Sequence, residues 1–472
     1  MQNWLRRTKI VATLGPATST PEMIRILIEN GMDVARLNFS HGSYESHARV
    51  ISHLRAISGE LNKPVTILQD LQGPKIRVGI LPQGKIELTL GTRIRLVPVG
   101  DYDQSPDSVP IDYPFLFAEA LPGMQVLLAD GLFELRVEEI VDRNVICSVT
   151  EGGVLTDRKG VNFPNLNLRL PAMTDKDIQD LEFGLSQDVD WISLSFVRTA
   201  EDVLILRKHI TDKGFIKPII AKIEKPQAID HLEEIVGVVD GIMVARGDLG
   251  VEISPERVPM LQKQIIGLCN QKGKTVITAT QMLESMIHEP RPTRAEASDV
   301  ANAIIDGTDA IMLSGETAMG AFPGKAVEMM ARIAREVEEK IDFRTYPPDD
   351  HTEITALSRS ANQIAKVMNP ACIVVLTASG RSAQFVASEK PVVPIYALTA
   401  HRNVYHALNL LWGIRPILIE DHPDSFEEMV SVTEQNLLTR NLITPGDKII
   451  LLGGVPAHKP GGTNFIKIHT IR

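Results

Sequence analysis

One pattern recurs along the first 340 residues: a short apolar, β-branched run, a polar or glycine-containing turn, then an amphipathic stretch of helical period. The runs fall at 10–14, 33–38, 65–70, 191–196, 219–223, 241–245, 276–280 and 310–313. Continuous rather than alternating hydrophobicity marks strands covered on both faces, as a parallel sheet requires. Helices are read at 21–30, 45–61, 175–187, 200–208, 255–272 and 294–306. Thr20-Pro21 and Ser254-Pro255 each read as an N-cap followed by proline at the first helical position. Eight such units predict a closed (β/α)8 TIM barrel rather than an open doubly wound sheet.

The spacing breaks once, where about 120 residues separate the third run from the fourth and a single helix would suffice. Short strands with Gly and Pro turns are expected there at 85–90, 93–99, 125–129, 133–141 and 145–149, which makes a small all-β unit. It leaves the barrel after strand three, at the C-terminal face, where it is placed to act as a lid. After Lys340 the barrel pattern ends, and the segment 345–350 (Thr-Tyr-Pro-Pro-Asp-Asp) reads as a linker. Beyond it, helices and strands alternate again: 356–368, 373–377, 385–390, 393–398, 404–411, 417–419, 426–440, 448–452 and 466–469. The division is therefore a barrel from 1–71 and 171–344, a lid from 72–170 and a C-terminal α/β domain from 345–472.

A formal net charge of −10 argues against nucleic acid as a partner, so an anionic substrate would need a local cluster of cations or metal. Cys147, Cys269 and Cys372 lie far apart among apolar neighbours and read as buried thiols. Together with the lack of a targeting segment and of any membrane-length apolar run, they point to a cytoplasmic protein.

Side chains just past the C-terminal strand ends of such a barrel converge on one mouth. Those positions hold Arg36, Asn38, Ser40, His41, Asp70, Ser195, Lys222, Glu224, Arg246, Asp248, Thr280, Ser314 and Glu316. Glu224 and Asp248 are hard oxygen donors on neighbouring strands and suit Mg2+ or Mn2+, although Glu224 alone could merely pair with Lys222 or Lys225. Asp248 stands beside Gly247 and Gly250, which let backbone N–H groups approach an anion. Lys222, two residues before Glu224 on an extended segment, points to the same side. A fixed cation beside a metal suits a transferring phosphoryl group; a Schiff base is the rival role. The Gly-Lys-Thr triplet at 273–275 precedes a strand instead of opening a helix, so it reads as a turn and not as a P-loop.

The segments 33–42 (Asp-Val-Ala-Arg-Leu-Asn-Phe-Ser-His-Gly), 221–224 (Ala-Lys-Ile-Glu), 241–252 (Gly-Ile-Met-Val-Ala-Arg-Gly-Asp-Leu-Gly-Val-Glu), 279–286 (Ala-Thr-Gln-Met-Leu-Glu-Ser-Met) and 314–317 (Ser-Gly-Glu-Thr) resemble, in order, the signature segments of the pyruvate kinase family. The resemblance covers essentially the whole chain. It implies transfer of the phosphoryl group of phosphoenolpyruvate to ADP, giving ATP and pyruvate, in a homotetramer. Lys222 and Arg36 would then contact the phosphoryl group, and Glu224 and Asp248 would hold the divalent metal. Amides of Gly247 and Asp248, with the Thr280 hydroxyl, would grip the substrate carboxylate. Thr280, Ser314 and Glu316 would border the water chain that protonates the enolate. ADP would lie near Pro16, Asn38, His41, Arg77 and Lys159.

One departure from the family pattern stands out. Members that need K+ bind it near positions matching Asn38, Ser40, Asp70 and the carbonyl of Leu71, and carry Glu five residues after that Asp. Here Lys75 stands at that place, and its tethered ammonium is expected to make K+ unnecessary. In the C-terminal domain, Thr377, Ser379, Gly380, Arg381 and Ser382 follow an apolar strand and open a helix, an anion cradle like the family's sugar-phosphate effector loop. The segment 461–464 (Gly-Gly-Thr-Asn) is its expected closing piece, with a sugar phosphate or nucleotide as effector. Two other readings fit part of the pattern: a metal-dependent pyruvate-enolate aldolase or lyase, and a non-catalytic phosphometabolite sensor. The first leaves Arg77, Lys159 and the lid unexplained, and the second leaves the full polar set of the mouth unexplained.

Overall fold

The computed structural model describes residues 6–164, 166, 169–343, 352–420, 423–455 and 462–472. Eight parallel strands form a ring: β1 (Lys9–Leu14), β2 (Val34–Asn38), β3 (Thr66–Asp70), β4 (Trp191–Leu194), β5 (Ile219–Ile223), β6 (Gly241–Ala245), β7 (Thr275–Ala279) and β8 (Ala310–Leu313). β1 pairs with both β2 and β8, which closes the barrel as expected. Alternate residues of the strands belong to two different cores. Val11, Val34, Leu68, Ile220, Met243, Ile277 and Met312 fill the lumen, while Ile10, Ala35, Ile67, Ile219, Ile242, Val276 and Ile311 pack under the helices. Each fully buried Val, Leu, Ile or Met side chain among them contributes about 1.5–3 kcal/mol, so the barrel is a rigid frame for whatever its rim carries.

Helix starts follow local chemistry. Thr20 caps the helix Pro21–Asn30 by accepting from the Met23 amide at 3.3 Å, with proline at its first position. Thr293 and Glu296 form a reciprocal capping box on Arg294–Ile305. Ser254 makes no such side-chain cap: Pro255–Arg257 is a single 3-10 turn, and the α-helix starts at Val258 with Pro259 inside its first turn. The helix expected at 255–272 is thus split, because Pro259 lacks an N–H and is tolerated only where a helix begins.

The inserted unit holds a six-stranded sheet and a two-stranded ribbon. Phe133–Val141 is a strand as expected; Ser108–Ile111, Gly153–Thr156 and Val161–Asn162 are strands that the hydrophobic pattern did not reveal. The outgoing stalk joins the two edges of the larger sheet, with Val78 bridging Ile111 and Arg77 bridging Gly160, so the sheet closes on itself.

In the C-terminal body four parallel strands (Cys372–Leu376, Ile395–Thr399, Ile414–Leu418, Lys448–Gly453) and an antiparallel edge strand (Phe465–Thr470) carry helices including Glu353–Met368, Arg381–Ser388 and Phe426–Thr439. The segment read as a linker, 345–350, lies outside the described residues. This body docks on the N-terminal rim of the barrel. Lys9 Nζ donates to the Ile414 carbonyl at 2.6 Å, Trp191 Nε1 to that of Ala407 at 3.0 Å, and Asn409 Nδ2 to those of Asp33 and Pro64 at 2.9 and 2.8 Å. The opposite rim, where the inserted unit is rooted, is left open.

All three cysteines are buried, and burial pushes the Cys147 and Cys372 thiols up to about 12, as inert structural thiols require. Among the described residues no helix is long and apolar enough to cross a membrane.

Candidate active site

The alternation that fills the lumen also builds the mouth. Two residues beyond Val11, Val34, Leu68 and Ile220, on the same inward face, stand Thr13, Arg36, Asp70 and Lys222; Ser193 and Ser195 continue the inward face of β4, and Glu224 that of β5. Register sets them side by side: Thr13 lies opposite Arg36, Asn38 opposite Asp70, and Asp70 opposite Ser193.

These groups share one buried charge network. Lys222 Nζ donates to Ser195 Oγ at 2.8 Å and lies 3.0 Å from Glu224 Oε1 and 3.5 Å from Asp70 Oδ1. Asp70 also accepts from Arg36 Nε at 2.7 Å and Ser193 Oγ at 2.8 Å, and pairs with Arg36 Nη2; Arg36 Nη1 donates to Thr13 Oγ1 at 2.9 Å. Burial alone would raise the Asp70 pKa, but the Lys222 and Arg36 charges outweigh it and hold the carboxyl below its usual range. Burial likewise opposes the Lys222 charge, and Asp70 and Glu224 overcome it, so the ammonium is held more firmly than in water. Glu224 is pushed up, chiefly by burial and further by Asp248, with Lys222 opposing. Its Oε2 accepts from the Phe196 amide at 2.8 Å.

Beyond β6 the helix Arg246–Glu252 carries Gly247 and Asp248, and Gly247 N donates to Thr280 Oγ1 at 2.7 Å. Thr280, expected as the last residue of β7, instead follows it with φ 68°. A β-branched residue pays for that conformation, and such strain persists where surrounding contacts over-determine it. Those contacts are present: Arg246, placed by sequence in the mouth, turns aside to bind the Thr280 carbonyl at 2.7 Å and Asp299 Oδ1 at 2.7 Å. Glu316 is likewise not in the mouth. It is fully buried, and its oxygens accept from the amides of Leu283 at 3.0 Å and Ser314 at 2.7 Å, so it shapes the loops after β7 and β8. The Ser314 hydroxyl is enclosed without a hydrogen-bond partner among the described residues.

A cavity of about 700 Å3 lies between barrel and inserted unit. Of the residues singled out by sequence it is bounded by Arg36, Asn38, Ser40, His41, Lys75, Arg77, Lys159, Ser195, Lys222, Glu224 and Asp248. Pro16, in the 3-10 turn Pro16–Thr18 after β1, does not bound it, nor do Gly247, Thr280, Ser314 and Glu316. Gln72, Asp130, Asp157, Arg158, Gly160 and Phe196 do, and the sequence reading missed them. Ser193 was missed too, although a serine inside an otherwise apolar strand, one turn of the pleat from Ser195, was a usable signal.

Two groups of donors bear on metal ions. Glu224, just past β5, and Asp248, in the helix after β6, bound the same cavity, and the Asp248 charge that pushes Glu224 up is what a dication would relieve. Among the described residues no set of three or more His, Cys, Asp or Glu side chains is arranged for a metal, so substrate oxygens and water would complete the shell. Three residues of the candidate monovalent position, Asn38, Asp70 and Leu71, make internal hydrogen bonds. Asp70 is engaged as above, the Leu71 carbonyl accepts from Ser195 Oγ at 2.7 Å, and Asn38 Oδ1 accepts from the Ser40 amide at 3.1 Å. Lys75 does not reach Asp70: its ammonium lies 3.5 Å from Asp248 Oδ1 and 3.3 Å from Asp130 Oδ1, and these carboxylates raise its pKa against the cost of burial.

In the C-terminal body, Gly380 (φ 85°) caps the helix Arg381–Ser388, and its amide donates to Thr377 Oγ1 at 2.9 Å. Ser382 Oγ is hydrogen-bonded to Thr463 Oγ1, so the two expected segments meet; Gly461 lies outside the described residues. Ser379 and Arg381 are exposed beside that junction.

A family model described as the pyruvate kinase barrel domain matches residues 5–327, and one described as the pyruvate kinase alpha/beta domain matches 355–469. Over 477 residues the chain is 46% identical to pyruvate kinase 2 of Synechocystis sp., covering 99% of this chain and 80% of that one. It is 43% identical over 468 residues to a pyruvate kinase of Agrobacterium vitis (98% and 96% covered) and 41% identical over 473 residues to that of Clostridium acetobutylicum (99% and 100% covered).

Proposed function

Because the chain belongs to the pyruvate kinase family, we propose that its mouth moves the phosphoryl group of phosphoenolpyruvate to ADP through the residues gathered around Lys222. The chain is a phosphotransferase of that family; which side chains do what is our reading. The observation that carries it is the Lys222 ammonium, buried 3.0 Å from Glu224 at the mouth that also holds Asp248. In-line transfer leaves little covalent chemistry for the protein, so fixed positive charge around the moving group lowers the barrier. Lys222 and Arg36 supply that charge without reorganising, because Asp70 already orients both. A Mg2+ or Mn2+ ion on Glu224 and Asp248 would supply Lewis-acid stabilisation of the phosphate and enolate oxygens. The amides of Gly247 and Asp248 and the Thr280 hydroxyl would hold the substrate carboxylate once it displaces the bond between Gly247 N and Thr280 Oγ1, and Thr280 with Ser314 would border the route by which the enolate gains its proton. Glu316 acts there only by shaping the loops. Asn38, His41, Arg77 and Lys159 would contact the nucleotide, a reading supported by their all bounding the cavity between barrel and lid.

Pyruvate formation, followed by coupled oxidation of NADH, is expected from phosphoenolpyruvate only when ADP and Mg2+ are both present. Turnover of an enolpyruvate substrate without nucleotide would favour the lyase reading, and none at all the sensor reading. Run across sugar phosphates and nucleoside monophosphates, the same assay is expected to show altered phosphoenolpyruvate saturation through the loop 377–382; unchanged curves would count against allosteric control.

Activity is further expected to be independent of K+. Asn38, Asp70 and Leu71, three of the four residues that would bind it, already accept internal hydrogen bonds, and Lys75 brings an ammonium to the same mouth. Rates in tetramethylammonium buffer should match those with added KCl; strong K+ stimulation would contradict this. We also carry forward the division into 1–71 with 171–344, 72–170 and 345–472, a homotetrameric assembly and a cytoplasmic setting, all of which rest on family resemblance and composition.

A further inference from the structure

Glu252 is a buried carboxylate that the chemistry above does not use. It ends the helix Arg246–Glu252, one turn after Asp248, and is 3% exposed. Its Oε1 accepts from Asn162 Nδ2 at 2.6 Å and is paired with Lys225 Nζ. Asn162 belongs to the inserted unit: Val161–Asn162 pairs antiparallel with Gln125–Leu128 of the larger sheet. Lys225 directly follows Glu224 and stands 5.7 Å from the Phe196 ring centre, and the Phe196 amide holds Glu224 Oε2 at 2.8 Å. One buried charge therefore touches the inserted unit, the segment bearing Glu224 and the helix bearing Asp248. A carboxylate this enclosed is costly unless its partners stay in place.

We propose that Glu252 is a positioning residue, the latch that fixes the inserted unit over the mouth by its bond to Asn162 while bracing, through Lys225 and its own helix, the two carboxylates of the mouth. The inference rests on the reading that nucleotide lies between barrel and lid. Latch failure should therefore weaken ADP before it weakens metal.

Asn162→Asp, Glu252→Gln and the double exchange test this, because each swap preserves shape and only the exchange restores one carboxylate facing one amide. Asn162→Asp sets two carboxylates together and is expected to raise the KM for ADP at least tenfold, with the Mn2+ dissociation constant moving less than threefold. The double exchange restores a carboxylate facing an amide but not the pair with Lys225, so the KM for ADP is expected to fall at least threefold below that of Asn162→Asp without fully regaining the parent value. Stalk cleavage in limited proteolysis gives a readout that needs no turnover: faster in Asn162→Asp, restored in the exchange. A lowered melting temperature with unchanged KM and cleavage, or additive damage in the exchange, would overturn the latch. An inactive parent enzyme would sink the phosphotransfer reading instead, leaving the proteolysis comparison to decide the latch.

Discussion

Replacing Lys222 by Met is expected to lower kcat by roughly 10²–10³-fold or more while the Mn2+ dissociation constant changes little. Met fills nearly the same volume, so the barrel should stay packed. What is lost is the ammonium 2.8 Å from Ser195 Oγ and 3.0 Å from Glu224 Oε1. The loss has a second consequence. Glu224 is already pushed up by burial and by Asp248, with Lys222 the main opposing charge. Without that charge its carboxyl rises further, so the acid limb of the activity profile should move to higher pH. Steady-state rates across pH, with Mn2+ binding followed by electron paramagnetic resonance, separate the two effects. A variant within tenfold of the parent would remove Lys222 from the account.

Replacing Asp70 by Ala is expected to cost about 3–5 kcal/mol, because two buried cations lose the carboxylate between them. Asp70 is 1% exposed and contacts Arg36, Lys222 and Ser193, so its removal takes the shared counter-charge from both cations. For a domain of this size each kcal/mol shifts the melting temperature by about 2–4 °C, which differential scanning calorimetry resolves. The pH dependence has a definite sign. The folded-state pKa lies below the unfolded value, so the contribution is complete above the unfolded value, about 3.9, and is lost as pH falls through the folded one. Parent and variant should therefore differ most at neutral pH and converge in strong acid. Asp70→Asn keeps the shape but not the charge, and should fall between them.

The barrel was legible because its lumen and its helix-facing layer are both apolar, which leaves continuous runs that only a parallel sheet explains. The mouth was legible for the same reason: an inward parity that holds Val34 and Leu68 also holds Arg36 and Asp70 two residues on. Pairings across strands were not. Asp70 read as part of a candidate monovalent-cation position, and its pairing with Arg36 and Lys222 is a consequence of register and not of spacing. Lys75 sits past a strand end on a stalk whose direction no local pattern fixes, so its approach to Asp248 is set by how the stalk leaves the barrel. Arg246 and Glu316 looked like mouth residues by position, and both turn aside to satisfy backbone groups of the loops after β7 and β8. The strands at 108–111, 153–156 and 161–162 were hidden by their brevity, and the first also by Pro110. Asn162 and Glu252 lie 90 residues apart, and nothing local links them.

A crystal structure with Mn2+ and a non-reacting phosphoenolpyruvate analogue puts the arrangement to its hardest trial. The ion should rest on the carboxylates of Glu224 and Asp248, and Lys222 Nζ should lie within hydrogen-bond distance of an oxygen of the analogue's phosphoryl group. An ion held elsewhere, or an ammonium out of hydrogen-bond reach of the bound phosphoryl, would contradict the account.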